Sequence, residues 1–582
     1  MEIKTYSFDN AGLIEQAKHP KGYDWPVVYL LYNASTLYVG ETTSASVRMS
    51  QHLHNPKKQK ANLVNIKIIY DDTFNKSVIL DYEQKLIKYC KADKTFKSVL
   101  NANDGQSDAH DYYQRPYYAS HFHDIWNELR NQGIVTKTMD VIENDNIFKY
   151  SPYTALTPEQ NQIQIAILND IVDRLYNNQK GVSLVDGCAG TGKTVMGISI
   201  INNLVNAINI DETTLTQAQK DEPLNKARLK IKYFVQHVRP IKVGLVFPMT
   251  GIRSVIEKVF SGCGNGLTKK MVMNPCQIKN DDFDVIIVDE SHRLTRRKNL
   301  TNYNDFDKTC AYYGLDKNKS NQLDWMLKGS KYAVLFYDKD QSVKSADIPF
   351  KDFQNSLVTY GNNIKTYKLT SQMRCAGGSA YIDYVRDIMS CSATAIKAIN
   401  NYEFKIYRDV DKMIQKIQSL DDQVGLSKTV AGFSWEWVTK PNKGSIPDNL
   451  DKYNSILNSG KYDIDINGNR YIWNLVTERW IPRQDSHFTI GCIHTTQGFD
   501  LNYVGVIFGK EIDYNPITNT IEIDLNEFKD EKVKAGCDEQ TVKEYILNTY
   551  ITILARGIKG CFVYACNKNM QDYLEKFIKV EL

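Results

Sequence analysis

A chain of 582 residues is long enough for three or four folding units, and its 42% hydrophobic and 24% charged residues are the balance of a globular protein. No apolar run approaches the roughly 18 residues of a membrane span, the first residues carry Glu2 and Lys4 where a signal peptide needs apolar ones, and eleven cysteines without a C-x-x-C pair argue against a disulfide framework or a zinc ribbon. A cytoplasmic location without a membrane partner is therefore expected, and the net charge of +4 permits a polyanion partner without requiring one.

In chain order, residues 27–32 and 37–39 are β-rich runs around a polar turn, which predicts a hairpin. Residues 42–54 predict a helix with Thr42, Thr43 or Ser44 as N-cap, 65–70 a third strand, and 78–90 a second helix. Residues 101–155 have weak periodicity and include Pro116 and Pro152; they read as a connecting segment with some helix around 125–130. Six short apolar runs follow, at 182–185, 243–247, 285–288, 333–336, 503–508 and 561–565. Such runs alternating with helical stretches predict parallel sheets covered on both faces. Residues 213–239 predict a charged helical insertion, and Asn467-Gly468 between two short β-rich runs predicts a tight hairpin.

Gly187-Cys188-Ala189-Gly190-Thr191-Gly192-Lys193-Thr194 satisfies G-x-x-x-x-G-K-S/T between an apolar strand and a helical stretch. Gly187, Gly190 and Gly192 let backbone N–H groups wrap phosphates, and the helix N-terminus adds a favourable dipole. Lys193 is expected to reach the β- and γ-phosphates of ATP, and the Thr194 hydroxyl to sit on Mg²⁺. A second apolar run ends in Asp289-Glu290. Asp289 is expected to hold the Mg²⁺ through water and Glu290 to polarise the attacking water, as phosphoryl transfer requires.

Residues 150–582 resemble superfamily 1 helicases, and most closely the family related to the helicase part of Schlafen proteins. Beside the two motifs above, the resemblance is carried by Leu156-Thr157-Pro158-Glu159-Gln160, by Val246-Phe247-Pro248-Met249-Thr250 with Arg253, and by Tyr337-Asp338-Lys339-Asp340-Gln341. Gln372-Met373-Arg374, His494-Thr495-Thr496-Gln497-Gly498-Phe499-Asp500 and Leu554-Ala555-Arg556 extend it into a second lobe. It implies that Gln160 reads adenine, that Gln341 senses the γ-phosphate, and that Thr250, Arg253, Thr495 and Thr496 serve the nucleic-acid strand. It also makes Arg374 and Arg556, the latter preferred, candidates for neutralising the transferring phosphoryl group, an effect worth ~10³–10⁵ in rate in related enzymes. Tyr337 stands where the family has glycine.

Residues 27–103 resemble the GIY-YIG nuclease family. Val27-Val28-Tyr29 stands at its first motif, with Val-Val for Gly-Ile, and Tyr38-Val39-Gly40 at its second. Arg48 follows eight residues after Gly40 and His52 four after that, a spacing that shares one helix face. Glu83 falls in the apolar stripe of Ile79, Leu86 and Cys90, where a carboxylate needs a partner or a metal. Asn101 stands at the closing asparagine. The resemblance implies phosphodiester cleavage in which Glu83 holds Mg²⁺ or Mn²⁺, Arg48 stabilises the pentacovalent charge, and Tyr29, Tyr38 or His52 handles the proton or the water. Lys57-Lys58-Gln59-Lys60, and Arg293 with Arg296-Arg297-Lys298, are candidates for tracking a phosphate backbone.

The expected fold class is α/β: a small N-terminal GIY-YIG-like α/β domain (1–104), a connecting segment (105–155) and two RecA-like parallel-sheet lobes. The lobes span 156–365, with an insertion at about 207–240, and 366–582, with an insertion at about 436–486. The expected function is an ATP-dependent nucleic-acid motor with a metal-dependent nuclease, in defence against foreign nucleic acid or in repair. DNA is preferred to RNA as the partner, and a second copy of the chain or a defence partner protein is left open. A nucleotide-gated nuclease switch that unwinds nothing, and an ATPase with an inactive nuclease-like binding domain, use the same residues.

Overall fold

Five strands pair in the N-terminal part of the chain: β1 (Glu2–Ser7), β2 (Asp24–Tyr32), β3 (Thr36–Ser44), β4 (Asn65–Tyr70) and β5 (Ser98–Val99), in the order β1-β4-β2-β3-β5. All neighbours are antiparallel except β3 and β5. The computed structural model describes residues 1–101, 112–151, 154, 156–263, 266–300, 302–338, 341, 345–358, 361–372, 375–439, 450–475, 480–481, 483–496, 499–535 and 537–581. They fall into two units, Met1–Thr157 and Pro158–Leu582.

In the first unit, β3 continues through Thr42 and Ser44 because they still pair with Val27 and Asp24 of β2. The helix predicted from 42 therefore begins at Ala45 and runs Ala45–Leu53. The helix Lys76–Asp93 lies where its periodicity predicts, while β1 and the helix Asn10–Ala17 carry no such signal. The stretch read as a connector is largely helical: Arg115–Asn131, with a proline in its first turn, then Met139–Asn144 and Asn146–Lys149. Its Tyr118, Phe122, Ile125, Trp126 and Leu129 share one buried cluster with Val78, Tyr82, Leu86 and Tyr89, so it completes the core of this unit.

The second unit contains two parallel sheets, as near-continuous apolar strands demand. The first has β6 (Gly181–Gly187), β7 (Val243–Val246), β8 (Val272–Met273), β9 (Phe283–Val288), β10 (Ser330–Tyr337) and β11 (Ile364–Leu369), in the order β11-β6-β10-β9-β7-β8. Next along the chain come β12 (Glu403–Tyr407), β13 (Ser427–Ala431), the hairpin β14 (Ile464–Ile466) with β15 (Asn469–Tyr471), β16 (Leu501–Phe508), the hairpin β17 (Ile512–Asn515) with β18 (Thr520–Ile523), β19 (Gly557–Ala565) and β20 (Lys579–Glu581). The second sheet has the order β13-β16-β19-β12-β20. All six predicted apolar runs are strands of these sheets. Asn467 and Gly468 have φ of 54° and 87°, the left-handed pair a two-residue hairpin turn requires. The charged insertion forms the helices Gln217–Asp221 and Pro223–His237, the second burying Ala227, Ile231 and Phe234. Among the described residues no helix is long and apolar enough to cross a membrane.

Candidate nucleotide site and candidate nuclease cleft

In the first parallel sheet, β6 runs beside β10, and β10 beside β9, so their carboxyl ends open at one edge, where ligands of such sheets bind. β6 delivers the phosphate loop there. Gly190 and Gly192 have φ of 84° and 78°, and Gly192 caps the helix Lys193–Asn206. Gln160 is buried and donates to the Thr191 carbonyl at 2.7 Å, and a Cβ on Gly192 would lie 2.4 Å from its amide nitrogen. Lys193 Nζ donates to the carbonyls of Gly187 (2.5 Å) and Cys188 (3.0 Å) and lies 3.5 Å from the Asp338 carboxylate.

The Thr194 hydroxyl donates to Asp289 Oδ2 at 2.6 Å. Burial, with the charge of Glu290 beside it, pushes Asp289 up to about 7. Asp289 Oδ1 and Glu290 Oε2 are buried without a hydrogen-bond partner. Glu290 Oε2 is 3.1 Å from His292 Nε2, outside hydrogen-bonding geometry, and burial holds that imidazole neutral, so the contact is not an ion pair. Unsatisfied carboxylate oxygens beside a threonine hydroxyl are the donors a hard divalent cation takes, so these residues fit Mg²⁺.

The second lobe reaches this edge. Arg556, 2% exposed, donates to Gln341 Oε1 at 3.2 Å, and Gln341 Nε2 donates to Asp338 Oδ2 at 2.5 Å. Lys193, Asp338, Gln341 and Arg556 thus form one polar chain across the two sheets. Tyr337, in the place of a glycine, packs its ring against Phe350 and Phe353 in the apolar core, clear of Gln341. Gln372 Nε2 donates to the Ala189 carbonyl at 2.6 Å, and Arg386 Nη2 to Cys188 Sγ at 3.2 Å. Arg386 carried no sequence signal beyond one cation on an amphipathic helix. Arg374, Lys339, Asp340, Gln497 and Gly498 lie outside the described residues.

Of the residues assigned to a strand, Thr250 is exposed at the start of the helix Thr250–Cys263, and Arg253 lies 3.7 Å from Glu257. Thr495 and Thr496 are buried and their hydroxyls bond to the Cys492 carbonyl, stabilising a turn. In the basic run after Glu290, Arg293 is buried on Asp347 at 2.6 Å, while the half-buried Arg297 pairs with Asp307 at 2.7 Å.

Over residues 180–567 the chain matches the Schlafen group 3 DNA/RNA helicase domain. The chain belongs to that family. Its two parallel sheets lie in that helicase domain, apart from the final strand β20. Uncharacterized protein YPL245W of Saccharomyces cerevisiae is 24% identical over 470 residues, 75% of this chain and 93% of that protein. Among solved structures, the Pif1 helicase from Candida albicans is 13% identical, covers 72% of this chain and 99% of its own, and has a TM-score of 0.26. A Bacteroides Pif1 helicase in complex with ADP-AlF3 and ssDNA is 12% identical, with coverages of 72% and 94% and a TM-score of 0.23.

The N-terminal unit of this Schlafen group 3 helicase lies outside the matched residues. Its cleft is assembled on the β2–β3 hairpin, where Tyr29 faces Gly40. A Cβ on Gly40 would lie 2.3 Å from the Tyr29 hydroxyl oxygen, so glycine is what admits the ring. The Tyr29 hydroxyl is 2.7 Å from His52 Nε2, and the Tyr38 ring meets His52 edge-on at 5.2 Å. Burial raises both tyrosine hydroxyls above their ordinary range, with Arg48 opposing it. A tyrosine base needs a lowered pKa, so neither hydroxyl is poised as one. Burial, reinforced by Arg48 and Lys58, instead lowers His52 to about 3 and keeps it neutral.

Glu83 is pushed up to about 7, by burial and then by the charge of Glu41, while Lys76 and Arg48 oppose. Glu41, directly after Gly40, pairs with Lys76 at 2.5 Å and was not anticipated. An open groove lined by Glu41, Thr43, Ser44, Arg48 and Lys76 lies beside these groups. Among the described residues no group of three or more His, Cys, Asp or Glu could hold a metal, so an ion at Glu83 would take its remaining ligands from water and phosphate, which suits Mg²⁺. Lys58 sits over the Tyr38 ring, and burial with Arg48 lowers it to about 7. Asn101 accepts from the Val39 N–H at 3.0 Å and donates to the Val39 carbonyl at 2.8 Å, so its amide continues β5 along β3.

Proposed function

We propose that this protein is an ATP-driven nucleic-acid motor whose N-terminal unit is a GIY-YIG-type, metal-dependent nuclease. The observation that supports the motor most directly is the polar chain from Lys193 through Asp338 and Gln341 to Arg556. With ATP on the loop, Lys193 exchanges the carbonyls of Gly187 and Cys188 for the β- and γ-phosphates. Glu290 orients the attacking water, and Arg556 neutralises the transferring phosphoryl group from the opposite lobe, with Arg374 as its companion. Thr194 and Asp289 would hold Mg²⁺, which supplies charge neutralisation at the phosphates. Gln341 bonds a first-lobe carboxylate and a second-lobe guanidinium together, so loss of the γ-phosphate alters the contact between lobes, which is how hydrolysis becomes stepping. Gln160 frames the adenine end of the site. Thr250 and Arg253 meet the strand, DNA in preference to RNA, and Thr495 and Thr496 shape the turn that links strand to nucleotide.

In the N-terminal cleft, Glu83 would hold Mg²⁺ or Mn²⁺, which supplies Lewis-acid stabilisation of the phosphate. The neutral His52, 2.7 Å from the Tyr29 hydroxyl, holds that hydroxyl in position to order the attacking water, Tyr38 packs the imidazole in place, and Arg48 stabilises the charge of the pentacovalent state. A motor joined to a nuclease suits defence against foreign nucleic acid, or repair. The test is to incubate the whole chain with labelled single- and double-stranded DNA and RNA and Mg²⁺, with and without ATP. ATP turnover stimulated by a strand and metal-dependent cutting are expected. Turnover indifferent to every polymer overturns the motor, and cutting equal in the wild type and Glu83→Ala overturns the nuclease.

A further inference from the structure

A second cation from the far lobe faces the phosphate loop, outside both arginine motifs. Arg386 lies on the helix Gly378–Met389, whose Tyr381, Ile382, Tyr384, Val385, Ile388 and Met389 are buried. Those side chains fasten the helix to the core of the second lobe. From that fixed base the guanidinium reaches into the first lobe, where Nη2 meets Cys188 Sγ at 3.2 Å, while Nη1 is 3.4 Å from Asp383. A thiol sulfur is a weak acceptor for a group whose planar donors match phosphate oxygens. Lys193, the ammonium that takes the β- and γ-phosphates, rests 3.0 Å from the carbonyl of the same Cys188, so the two cations bear on one loop residue, and a guanidinium brought from the opposite lobe meets a bound nucleotide at its terminal phosphate. Gln372, three residues beyond β11 of the first sheet, holds the next residue, Ala189, through its carbonyl at 2.6 Å, so this stretch of loop is fixed within its own lobe.

We infer that Arg386 is a γ-phosphate-binding residue contributed by the second lobe, which leaves the Cys188 sulfur for a phosphate oxygen when a nucleoside triphosphate enters and lacks that partner when a diphosphate is bound. The inference rests on the assignment of the loop to ATP. It gives the motor a contact between lobes that reports which nucleotide is present, separate from Arg556 and its bond to Gln341.

The experiment measures the affinity of the whole chain for Mg-ADP and for a non-hydrolysable Mg-ATP analogue, in the wild type, Arg386→Ala and Arg386→Lys. Arg386→Ala is expected to weaken the triphosphate about 10-fold, the scale of one charge-assisted hydrogen bond, and to leave ADP within about 2-fold. Arg386→Lys, keeping the charge but not the fork, is expected to recover part of the loss. Equal losses for the two nucleotides, or no loss for either, overturn the inference, and retained ADP binding shows that the site is folded. A wild type that binds neither nucleotide overturns the ATP assignment itself.

Discussion

The phosphate loop and the N-terminal cleft are both polar sites, but they are built from different materials. The loop is mostly backbone: its glycines take left-handed φ angles and its helix begins with free N–H groups, so eight consecutive residues specify it. The cleft is entirely side chains, drawn from β2, β3 and two helices, each of a type that occurs widely for other reasons. Beside the loop, Asp289 and Glu290 at the end of β9 carry unpaired buried oxygens, whereas the cleft carries a half-buried Glu83 held protonated near neutrality by burial and Glu41. A site made of backbone geometry is legible as a local pattern, while a site made of convergent side chains must be judged by whether the chain brings them together.

That contrast breaks most sharply in paired variants. Lys193→Ala should abolish ATP hydrolysis, a loss of at least about 10³-fold, because Lys193 is the ammonium that the loop itself supplies to the phosphates; Glu83→Ala should abolish cutting and leave strand-stimulated hydrolysis at the wild-type rate. Both activities are read in one preparation, and loss of both together in Glu83→Ala would mean the sites are not separable. Arg556→Ala should cut hydrolysis by about 10³-fold while nucleotide affinity stays within a few-fold, as expected of a group acting in the transition state. Equal losses in a binding titration and a turnover assay would assign Arg556 a structural role.

A smaller effect tests the cleft's electrostatics. Glu83, raised to about 7, must lose its proton to hold a cation, so lowering the pH through 7 protonates it and raising the pH frees it. Mn²⁺ affinity attributable to the cleft should rise about 10-fold from pH 6 to pH 8, and Glu83→Gln should flatten it. The same profile should show no step near 6.5, because His52 is already neutral down to about 3. A step there would mean that the imidazole titrates and that its burial is not what holds it. The smallest effect concerns Arg297: paired with Asp307, its replacement by alanine should change strand affinity by less than about 2-fold and leave the salt dependence as it was. A clear drop in the salt slope would place that basic run on the nucleic acid.

The parallel sheets were legible because strands buried on both faces are written as unbroken apolar runs, and because Gly, Asp or Asn marks their ends. The outer features of the N-terminal unit were not. β1 is a half-exposed edge of mixed residues without alternation strong enough to distinguish it from coil. The helix Arg115–Asn131 was hidden by its proline, which reads as a breaker although the first turn of a helix tolerates it. In the nucleotide site, Lys193, Thr194, Asp289 and Gln341 follow from their motifs, whereas Arg386 does not, since only the packing of its helix aims it at Cys188. In the cleft, Tyr29, Arg48, His52 and Glu83 were named from the resemblance to GIY-YIG nucleases, but the burial that raises the tyrosines and neutralises the histidine is a property of the assembled core. Glu41 became visible only through register, opposite Val28 and next to Lys76.

Asn101 has a consequence beyond the cleft. The β5 strand is two residues long, too short to cover β3, and the backbone N–H and carbonyl of Val39 would stand open at the sheet's edge. By answering both with one side-chain amide, Asn101 extends the edge without adding a strand that another chain could join. Exposed strand edges are templates for pairing between molecules. The two bonds also tie the end of the described N-terminal segment to the middle of the hairpin: a change to leucine would leave both Val39 groups without this partner, the loss of two partly buried hydrogen bonds at one position.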